Sequence, residues 1–360
     1  MTSSPTPDLA PGGELWVTIL AGGIGSRFWP ASTPEHPKQL LPLGSDRPLV
    51  SDTVDRALDL VPVDRLRILA GRHLVDPFRS ALPDLPGSVY LVEPMARGTG
   101  PVLTWAAWQI HRRSPDAVLV SLHSDHVVGD SQALSALLRV GAGLATREGS
   151  LFTLGALPDR PETGFGYIRP GKPLDTPADA RAFKVDAFIE KPALPEARRY
   201  LEEGYLWNTG MFIWQASVFL EEVSRLAPEI APHLRFLEEG DDERFFRECS
   251  TISVDEAVLE RSDRVCCLQA TFPWDDVGSW EALSRTRDHD SRGNVVAGPG
   301  VVIGGSDNIV FSEDAPVVLW ELDGLVVVRT GSATLVMPRD RAPDLKRLLA
   351  LLPPELGGTG

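Results

Sequence analysis

A glycine-rich turn followed by two cations is the part of the sequence best suited to chemistry. Residues 15–20 form an apolar run typical of a buried parallel strand, and the turn follows at once. Glycines let backbone N–H groups approach a ligand closely, and Arg27 and Lys38 add two positive charges on a proline-stiffened loop. We therefore predict a binding site for a phosphate chain. The residues expected to contact it through their backbone are Leu20, Ala21, Gly22, Gly23 and Gly25.

Two common phosphate-binding motifs do not fit this loop. A Walker loop requires Gly-Lys-Ser or Gly-Lys-Thr, and the sequence contains neither. A dinucleotide fingerprint requires GxGxxG, but the third glycine position after Gly23 and Gly25 is Phe28. The loop therefore disfavours both a P-loop nucleotidase and a Rossmann oxidoreductase.

A carboxylate stands where a second strand ends. Asp125 follows the apolar run of residues 117–122. Magnesium ions in proteins bind one or two carboxylates together with phosphate oxygens, so Asp125 is a candidate metal ligand. Taken alone, the same residue could equally cap the helix that follows.

The full sequence around the glycine turn resembles the signature of nucleoside-diphosphate-sugar pyrophosphorylases. GGIGSRFWPAS is followed by PKQLLPL, and Trp29, Pro30 and Gln39 are typical of the mannose-1-phosphate guanylyltransferase branch. Further strings extend the resemblance over residues 15–285. It implies that GTP and mannose 1-phosphate are converted into GDP-mannose and pyrophosphate, with Mg²⁺ as cofactor.

The resemblance assigns the two metal ligands. In this family the Asp of the Asp-His pair, here Asp125, and the Asp before Val-Gly, here Asp276, bind the metal. Adjacent side chains of an extended backbone point in opposite directions, so Asp275 should meet solvent or cap the helix expected near Ser279. Where His123 stands, the family usually has proline.

The strings TGFGY and FIEKP are paired strands that flank the sugar phosphate in the family. Gly164 belongs to the first string, and Glu190 in the second would accept hydrogen bonds from sugar hydroxyls. Lys191 would hold the sugar phosphate as a compact point charge. Asn208, in WNTGMF, has a donor and an acceptor that suit a hydroxyl of the hexose.

The segment EPMARGTGP corresponds to a family string near the base, which includes Arg97 and Thr99. Its first residue, Glu93, could accept hydrogen bonds from guanine N1–H and N2–H₂ together. Gly98 replaces the family's asparagine and Gly100 its alanine, so one side-chain contact to the base is missing.

A further family string, SVDEAVLE, begins at Ser253. Ser253 and Glu256 predict a capping box at a helix start, and we assign this string no catalytic role.

The chemistry implied is in-line attack of the sugar phosphate on the α-phosphorus of the nucleotide, without a covalent enzyme intermediate. Arg27, Lys38 and the glycine amides would stabilise the departing pyrophosphate, and Lys191 would align the nucleophile. Two alternatives stay open. The same chemistry could use another sugar phosphate or base, or the protein could be a non-catalytic regulator that binds sugar nucleotides.

Alternating strand and helix patterns are expected to position these residues. Over residues 14–288 they predict an α/β catalytic domain with a Rossmann-like, mostly parallel sheet, whose strands end at the functional loops. Residues 289–360 read as a small β-rich domain with a helix over 342–352, and the resemblance makes it left-handed β-helix-like. Residues 1–13 read as a disordered tail without signal-peptide character.

Composition limits the partners. Lys and Arg number 35 against 50 Asp and Glu, and the resulting formal charge of −15 argues against nucleic acid or an anionic membrane as a partner. Three cysteines, two of them adjacent, favour a reduced, cytoplasmic protein. No apolar run approaches the ~20 residues of a membrane helix. The C-terminal domain could form a homodimer interface, as it does in the resembled family.

Overall fold

The structure is a computed structural model that describes residues 13–23, 25–177 and 179–357. The predicted tail at residues 1–13 lies outside these ranges except for Gly13. Within the described ranges, none of the helices combines the length and the apolar composition needed to cross a membrane.

A mixed sheet lies at the centre of the described chain. The strands up to residue 275 are β1 (Leu15–Ala21), β2 (Leu66–Gly71), β3 (Tyr90–Glu93), β4 (Val118–His123), β5 (Val127–Val128), β6 (Leu151–Ala156), β7 (Tyr167–Pro173), β8 (Ala182–Ile189), β9 (Leu206–Gln215), β10 (Val265–Gln269) and β11 (Trp274–Asp275). Nine of them form the sheet in the order β3-β2-β1-β4-β9-β6-β10-β8-β7, and β5 pairs with β11. All but β8 and β9 run in one direction, which confirms the predicted mostly parallel α/β sheet.

The longer helices cover both faces of this sheet, and shorter helices follow elsewhere in the described chain. They are α1 (Leu49–Leu58), α2 (Arg72–Ala81), α3 (Thr99–His111), α4 (Ser131–Glu148), α5 (Leu194–Glu202), α6 (Ala216–Leu226), α7 (Leu234–Glu238), α8 (Asp242–Glu248), α9 (Leu283–Thr286), α10 (Leu345–Leu349) and α11 (Pro354–Gly357). Val17 and Ile19 of β1 join a core with α1, α2 and α4, whereas Trp16 and Leu20 join one with α3 and α6. Burial on both faces explains why the first strand is an unbroken apolar run.

Short strands form coils after residue 290. They are β12 (Val295–Ala297), β13 (Gly300–Ile303), β14 (Ile309–Ser312), β15 (Val317–Trp320), β16 (Leu325–Arg329) and β17 (Thr334–Pro338). Strands β12, β14 and β16 pair in parallel, as do β13 and β15, so the chain returns to the same side after each turn. The predicted β-helix-like character is confirmed. Strand β17 closes the larger sheet antiparallel to β16.

These coils share a hydrophobic core with the loop that follows the glycine turn. The ring of Trp280 lies 5.0 Å from the rings of both Phe28 and Phe311, measured between centroids. Leu41 and Val326 belong to the same buried cluster. The predicted boundary after residue 288 falls between α9 and β12, and the division into two domains stays a prediction, because one core runs across it.

The C-terminal segment is less regular than predicted, and the three cysteines are buried. The helix predicted over 342–352 is instead a 3-10 segment, Arg339–Asp344, followed by the short α10. Pro343 lies within the 3-10 segment, and its missing N–H prevents regular α-helical hydrogen bonding there. Cys249, Cys266 and Cys267 are free and buried.

Candidate active site

The glycine turn adopts a backbone conformation that favours glycine. Gly23 and Gly25 have φ values of +79° and +74°, and a Cβ on Gly25 would lie 2.3 Å from Cβ of Lys38. The amide of Gln39 donates to the carbonyl oxygens of Gly22 and Gly23, at 2.8 and 3.1 Å. Gln39 thus holds the turn by its carbonyl groups, and within the described part of the chain the N–H groups of Gly22, Gly23 and Gly25 make no hydrogen bond that would compete with a ligand.

A cleft of about 430 Å³ adjoins this turn and brings together four of the predicted charged residues. Arg27, Lys38, Asp125 and Asp276 all line it. The guanidinium of Arg27 is exposed and donates to the carbonyl oxygen of Gly278 at 3.1 Å. The four residues come from three chain segments, because Arg27 and Lys38 share one loop, and Lys346, which the sequence did not predict, lines the cleft as well. Their roles stay predictions.

Lys38 lies between the two predicted metal ligands. Its side chain is only 8% exposed, and its Nζ donates to Oδ2 of Asp125 at 2.9 Å and to the backbone oxygen of Asp276 at 2.7 Å. An ammonium group buried at this depth requires a charged or polar partner. Lys38 thus already supplies a positive charge where a metal ion and phosphates are expected.

The two carboxyl groups differ in their pKa. Burial of Asp125 would raise its pKa, but Lys38, His126 and His123 outweigh burial and hold the pKa at about 2. Burial raises the pKa of Asp276 to about 6, helped by the nearby carboxylates and only partly opposed by Lys38. One lysine therefore does not balance both carboxylates, and a divalent cation would fit the remaining negative charge.

A group of three potential metal-binding side chains includes Asp125. One ligand atom each of His123, Asp125 and His126 lies within 4.8 Å of the others. Burial lowers the pKa of both histidines, so their imidazoles are neutral, which is the form that binds metals. The indole N–H of Trp274 already donates to Nδ1 of His126 at 3.2 Å, which leaves the carboxylates as the better candidate ligands.

The prediction for Asp275 is wrong. It is 6% exposed and accepts hydrogen bonds from the guanidinium of Arg285, at 2.6 and 3.2 Å, and from the N–H of Val277 at 2.7 Å. It therefore neither meets solvent nor caps the segment at Ser279. The expected alternation is nevertheless present, because Asp276 lines the cleft while Asp275 lines a separate cavity.

A second cavity, of about 280 Å³, adjoins the cleft and contains the predicted base-contacting residues Glu93 and Thr99. Gly22, Gly23 and Asp125 line both spaces, so the two are adjacent. Leu20 and Ala21 also line the smaller cavity, as predicted. Burial raises the pKa of Glu93.

The segment after Glu93 shows why glycine replaces the asparagine of the family. Gly98 has a φ of +81°, and a Cβ there would lie 2.5 Å from the backbone oxygen of Ile252. Arg97 does not line the cavity. Its guanidinium instead donates to the carbonyl oxygens of Phe246 and Arg247, at 2.8 and 3.2 Å. Its predicted contact with the nucleotide therefore has no support from its position.

The two predicted sugar-phosphate strings are adjacent, although only part of the first is a strand. Tyr167 pairs with Ile189, whereas residues 163–166 precede β7 as a loop. The N–H of Gly164 donates to the carboxylate of Glu162 in that loop, at 3.1 Å. Beyond the end of β8, Lys191 has a φ of +47° and pairs with the carboxylate of Glu190.

Asn208 connects the sugar side to a residue that sequence reasoning missed. Its Oδ1 accepts from the hydroxyl of Thr153 at 2.7 Å, and its Nδ2 donates to Oδ1 of Asp255 at 2.9 Å. Asp255 belongs to the string that received no catalytic role. The capping box predicted there is confirmed, because the Oγ of Ser253 accepts from the N–H of Glu256 at 3.1 Å and donates to its carboxylate at 3.0 Å.

The site combines a glycine turn, two carboxylates and two cations on a mostly parallel sheet. This arrangement is typical of a nucleotidyltransferase, and comparison with known proteins supports this class. The model of the nucleotidyl transferase family matches residues 17–292. A mannose-1-phosphate guanylyltransferase from Escherichia coli (strain K12) is 35% identical over 353 residues, which are 93% of this chain and 73% of the relative. The alginate biosynthesis protein AlgA from Pseudomonas aeruginosa is 32% identical, over 92% of this chain and 70% of its own.

A solved structure agrees over nearly the whole chain. The crystal structure of a mannose-1-phosphate geranyltransferase from Thermus thermophilus has a TM-score of 0.86 at 31% identity, and the match covers 94% of this chain and 98% of that one. The chain belongs to the nucleotidyl transferase family and, within it, to the mannose-1-phosphate guanylyltransferases. The roles of the individual site residues stay predictions.

Proposed function

We propose that the protein transfers the guanylyl group of GTP to mannose 1-phosphate and releases pyrophosphate. The observation that carries this proposal is that the cavity at Glu93 adjoins the cleft at Lys38, with Gly22, Gly23 and Asp125 lining both. A base bound in the cavity would therefore extend its phosphates into the cleft. The substrates are those of the mannose-1-phosphate guanylyltransferases that the chain resembles.

The reaction needs no covalent intermediate with the protein. A phosphate oxygen of the sugar attacks the α-phosphorus in line, and the bond from that phosphorus to the leaving pyrophosphate breaks. Arg27, Lys38 and the free amides of the glycine turn stabilise the charge that develops on pyrophosphate. Catalysis is then mainly positioning and charge neutralisation.

Asp125 and Asp276 are the side chains that would hold Mg²⁺. They line one cleft, and the pKa of Asp276 is raised chiefly by burial and further by the nearby carboxylates. A bound Mg²⁺ would neutralise phosphate charge and polarise the α-phosphate. Carboxylate oxygens are the protein ligands that this ion prefers.

Glu190, Lys191 and Asn208 would bind mannose 1-phosphate. The side chain of Lys191 is 63% exposed, so it can leave Glu190 and turn to a phosphate without a large desolvation cost. Glu190 and Asn208 would then hold hydroxyls of the sugar. Lys191 would orient the attacking phosphate oxygen.

We further propose a homodimer that forms through the C-terminal coils. Val301 pairs with Val318 and Ile303 with Trp320, so these four side chains share one face of the β13–β15 sheet. All four are exposed, and Trp320 is 70% exposed. An apolar patch of this kind is typical of a protein–protein contact.

A cytoplasmic location fits the cysteines. Cys249, Cys266 and Cys267 are free, and burial raises the pKa of Cys249 to about 12, which keeps it an unreactive thiol. Fractionation of the native cells, with the protein followed by antibody, tests this location.

The proposed reaction is tested by pyrophosphate release. The purified protein is incubated with Mg²⁺ and each pairing of GTP, ATP, UTP or dTTP with mannose 1-phosphate or glucose 1-phosphate. We expect the fastest release from GTP with mannose 1-phosphate and none when the sugar phosphate is omitted. Faster release with another base or sugar would change the substrate assignment, and no release from any pair would contradict the proposal.

A further inference from the structure

We propose that Asp255 is a further determinant of sugar specificity, whose carboxylate accepts a hydrogen bond from a sugar hydroxyl opposite Glu190. This inference rests on the proposed function, because it deepens the same sugar site. The string that contains Asp255 received no role from the sequence, so the observations that support the inference are entirely structural.

Hydrogen bonds determine how the amide of Asn208 is oriented. Its Oδ1 accepts from the hydroxyl of Thr153 and from the N–H of Gly210, at 2.7 and 3.2 Å. Its Nδ2 must therefore face Asp255, to which it donates at 2.9 Å. Among the described residues, Asn208 provides the only side-chain hydrogen bond to Asp255, so the carboxylate retains capacity to accept from a ligand.

Glu190 faces the same small region. A Cβ on Gly166 would lie 2.7 Å from Oε2 of Glu190 and 3.3 Å from Cβ of Asn208, so Gly166 adjoins both side chains. The N–H of Asn208 donates to the backbone oxygen of Gly166 at 2.8 Å. Glu190, Asn208 and Asp255 therefore lie close together, next to Gly166, where the chain carries no side chain.

The charges favour hydroxyl groups as the occupant. The pKa of Asp255 is raised to about 7, chiefly by burial and in addition by the nearby negative charge of Glu190. Lys191 pairs with Glu190, so a single lysine faces two carboxylates. Hydroxyls that donate to both carboxylates would relieve this repulsion, whereas a phosphate here would increase it.

The backbone around Asp255 is held in place. Asp255 begins a π-helix, Asp255–Leu259, a rare conformation that is frequent at functional sites. The capping box of Ser253 and Glu256 spans its first turn, and the N–H of Val254 donates to Oγ1 of Thr99 at 2.9 Å. Thr99 lines the proposed base cavity, so the carboxylate is positioned relative to the nucleotide before the sugar binds.

The experiment compares Asp255→Asn and Asp255→Ala with wild type. Rates are measured with GTP and mannose 1-phosphate, its C2 epimer glucose 1-phosphate, and mannose 1-phosphates that each lack one hydroxyl. We expect KM for mannose 1-phosphate to rise about 10- to 100-fold in both variants, as for a hydrogen bond to a charged group, with KM for GTP within about twofold. Wild type should use one of the deoxy substrates less well than mannose 1-phosphate. Asp255→Asn should use that deoxy substrate and mannose 1-phosphate equally well.

Asp263→Asn is the matched control, because Asp263 lies eight residues further along the chain, is exposed and pairs with Arg225. It should leave every constant unchanged. If Asp255→Asn behaves as wild type while Asp255→Ala does not, Asp255 only positions Asn208 and the inference is overturned. Unchanged discrimination in both variants overturns it as well.

Calorimetry separates this inference from the proposed function. If wild type releases no pyrophosphate, the proposed function fails, but binding of mannose 1-phosphate to wild type and Asp255→Asn can still be compared, and equal or absent binding overturns the role of Asp255. Titration with Mg²⁺ and with Mn²⁺ tests the rival occupant. Cation binding that Asp255→Asn abolishes and Asp276→Asn preserves would mean a metal site, and would overturn the inference.

Discussion

Asp125 on the nucleotide side and Asp255 on the sugar side of the site experience opposite environments. On the nucleotide side, Lys38 contacts Asp125 directly and its pKa is held at about 2 despite burial. On the sugar side, no such contact compensates the burial of Asp255, and its pKa rises to about 7. The difference matches the ligands we propose, because a polyphosphate needs cations and metal ligands, whereas an uncharged polyol needs acceptors that are not already neutralised.

The two sides also differ in how they are held. The nucleotide loop is anchored by Phe28, which packs on Trp280 in a core shared with the C-terminal coils. The sugar side ends in Lys191, which has a positive φ and a largely exposed side chain. We infer that the nucleotide site is preformed, while the sugar site completes its ion pairs only when the sugar phosphate binds.

The largest effect is expected from breaking the charge balance of the nucleotide side. Arg27→Ala and Asp276→Ala should each lower kcat about a hundredfold or more, since each removes a contact to charge that develops in the transition state. Pyrophosphate release measures the effect, and circular dichroism checks the fold. Near-normal turnover in either folded variant would contradict the assigned role, and Asp263→Asn serves as the control.

On the sugar side, we expect the raised pKa of Asp255 to make the free energy of unfolding depend on pH. The folded pKa of Asp255, about 7, lies above the ordinary value of 3.8, so its contribution to stability is present at low pH and is lost as pH rises towards 7 and above. Asp255→Asn carries no charge at any pH. Its stability relative to wild type should therefore increase by about 2–3 kcal/mol from pH 5 to pH 8.

Urea unfolding of the wild type and of Asp255→Asn at the two pH values measures this difference. The exposed control Asp263→Asn should show no gain at pH 8. If the free energy of unfolding differs between wild type and Asp255→Asn by the same amount at both pH values, Asp255 does not titrate as described. The contrast between the two sides of the site would then lose its main support.

The smallest effect on activity is expected from the exposed face of the coils. Trp320→Glu should convert the proposed dimer into a monomer, because a carboxylate would be buried in an apolar contact. Turnover should change by less than about twofold, since the core that anchors Phe28 lies within one chain. Light scattering coupled to gel filtration measures the assembly.

Val336→Glu is the matched control for the coils. Val336 is also exposed, but it lies on β17, outside the β13–β15 sheet. A monomeric wild type, or a dimer that survives Trp320→Glu, would contradict the proposed interface. A large loss of activity on dissociation would show that the nucleotide loop is not held by its own chain alone.

Sequence reasoning succeeded where chemistry depends on local spacing. The glycines of the turn, Arg27 and Lys38 lie in one short segment, and their prediction needed only backbone geometry and charge. The buried strands were also predictable, because a central parallel strand shows as an unbroken apolar run. Asp125 and Asp276 were found through the family strings, and the fold then brought both to one cleft.

The partners of charged groups were not predictable in the same way. Asp275 was expected at the surface and is instead buried against Arg285. Arg97 was expected at the nucleotide and instead binds backbone carbonyls 149 and 150 residues away in sequence. Neither side chain has a local pattern that reveals its partner, so the choice depends on which chain segments fold together.

The sequence by itself therefore determined the class of fold, and it identified the glycine turn and the charged residues for which we predict phosphate and metal binding. Only the tertiary structure decided that Lys38 lies between Asp125 and Asp276, 87 and 238 residues away, and that Asp255 meets Asn208 across 47 residues. The physical reason is that turns and strands follow from neighbouring residues, whereas charge balance depends on distance in space. Distances between remote residues are determined only when the sheet and its helices assemble.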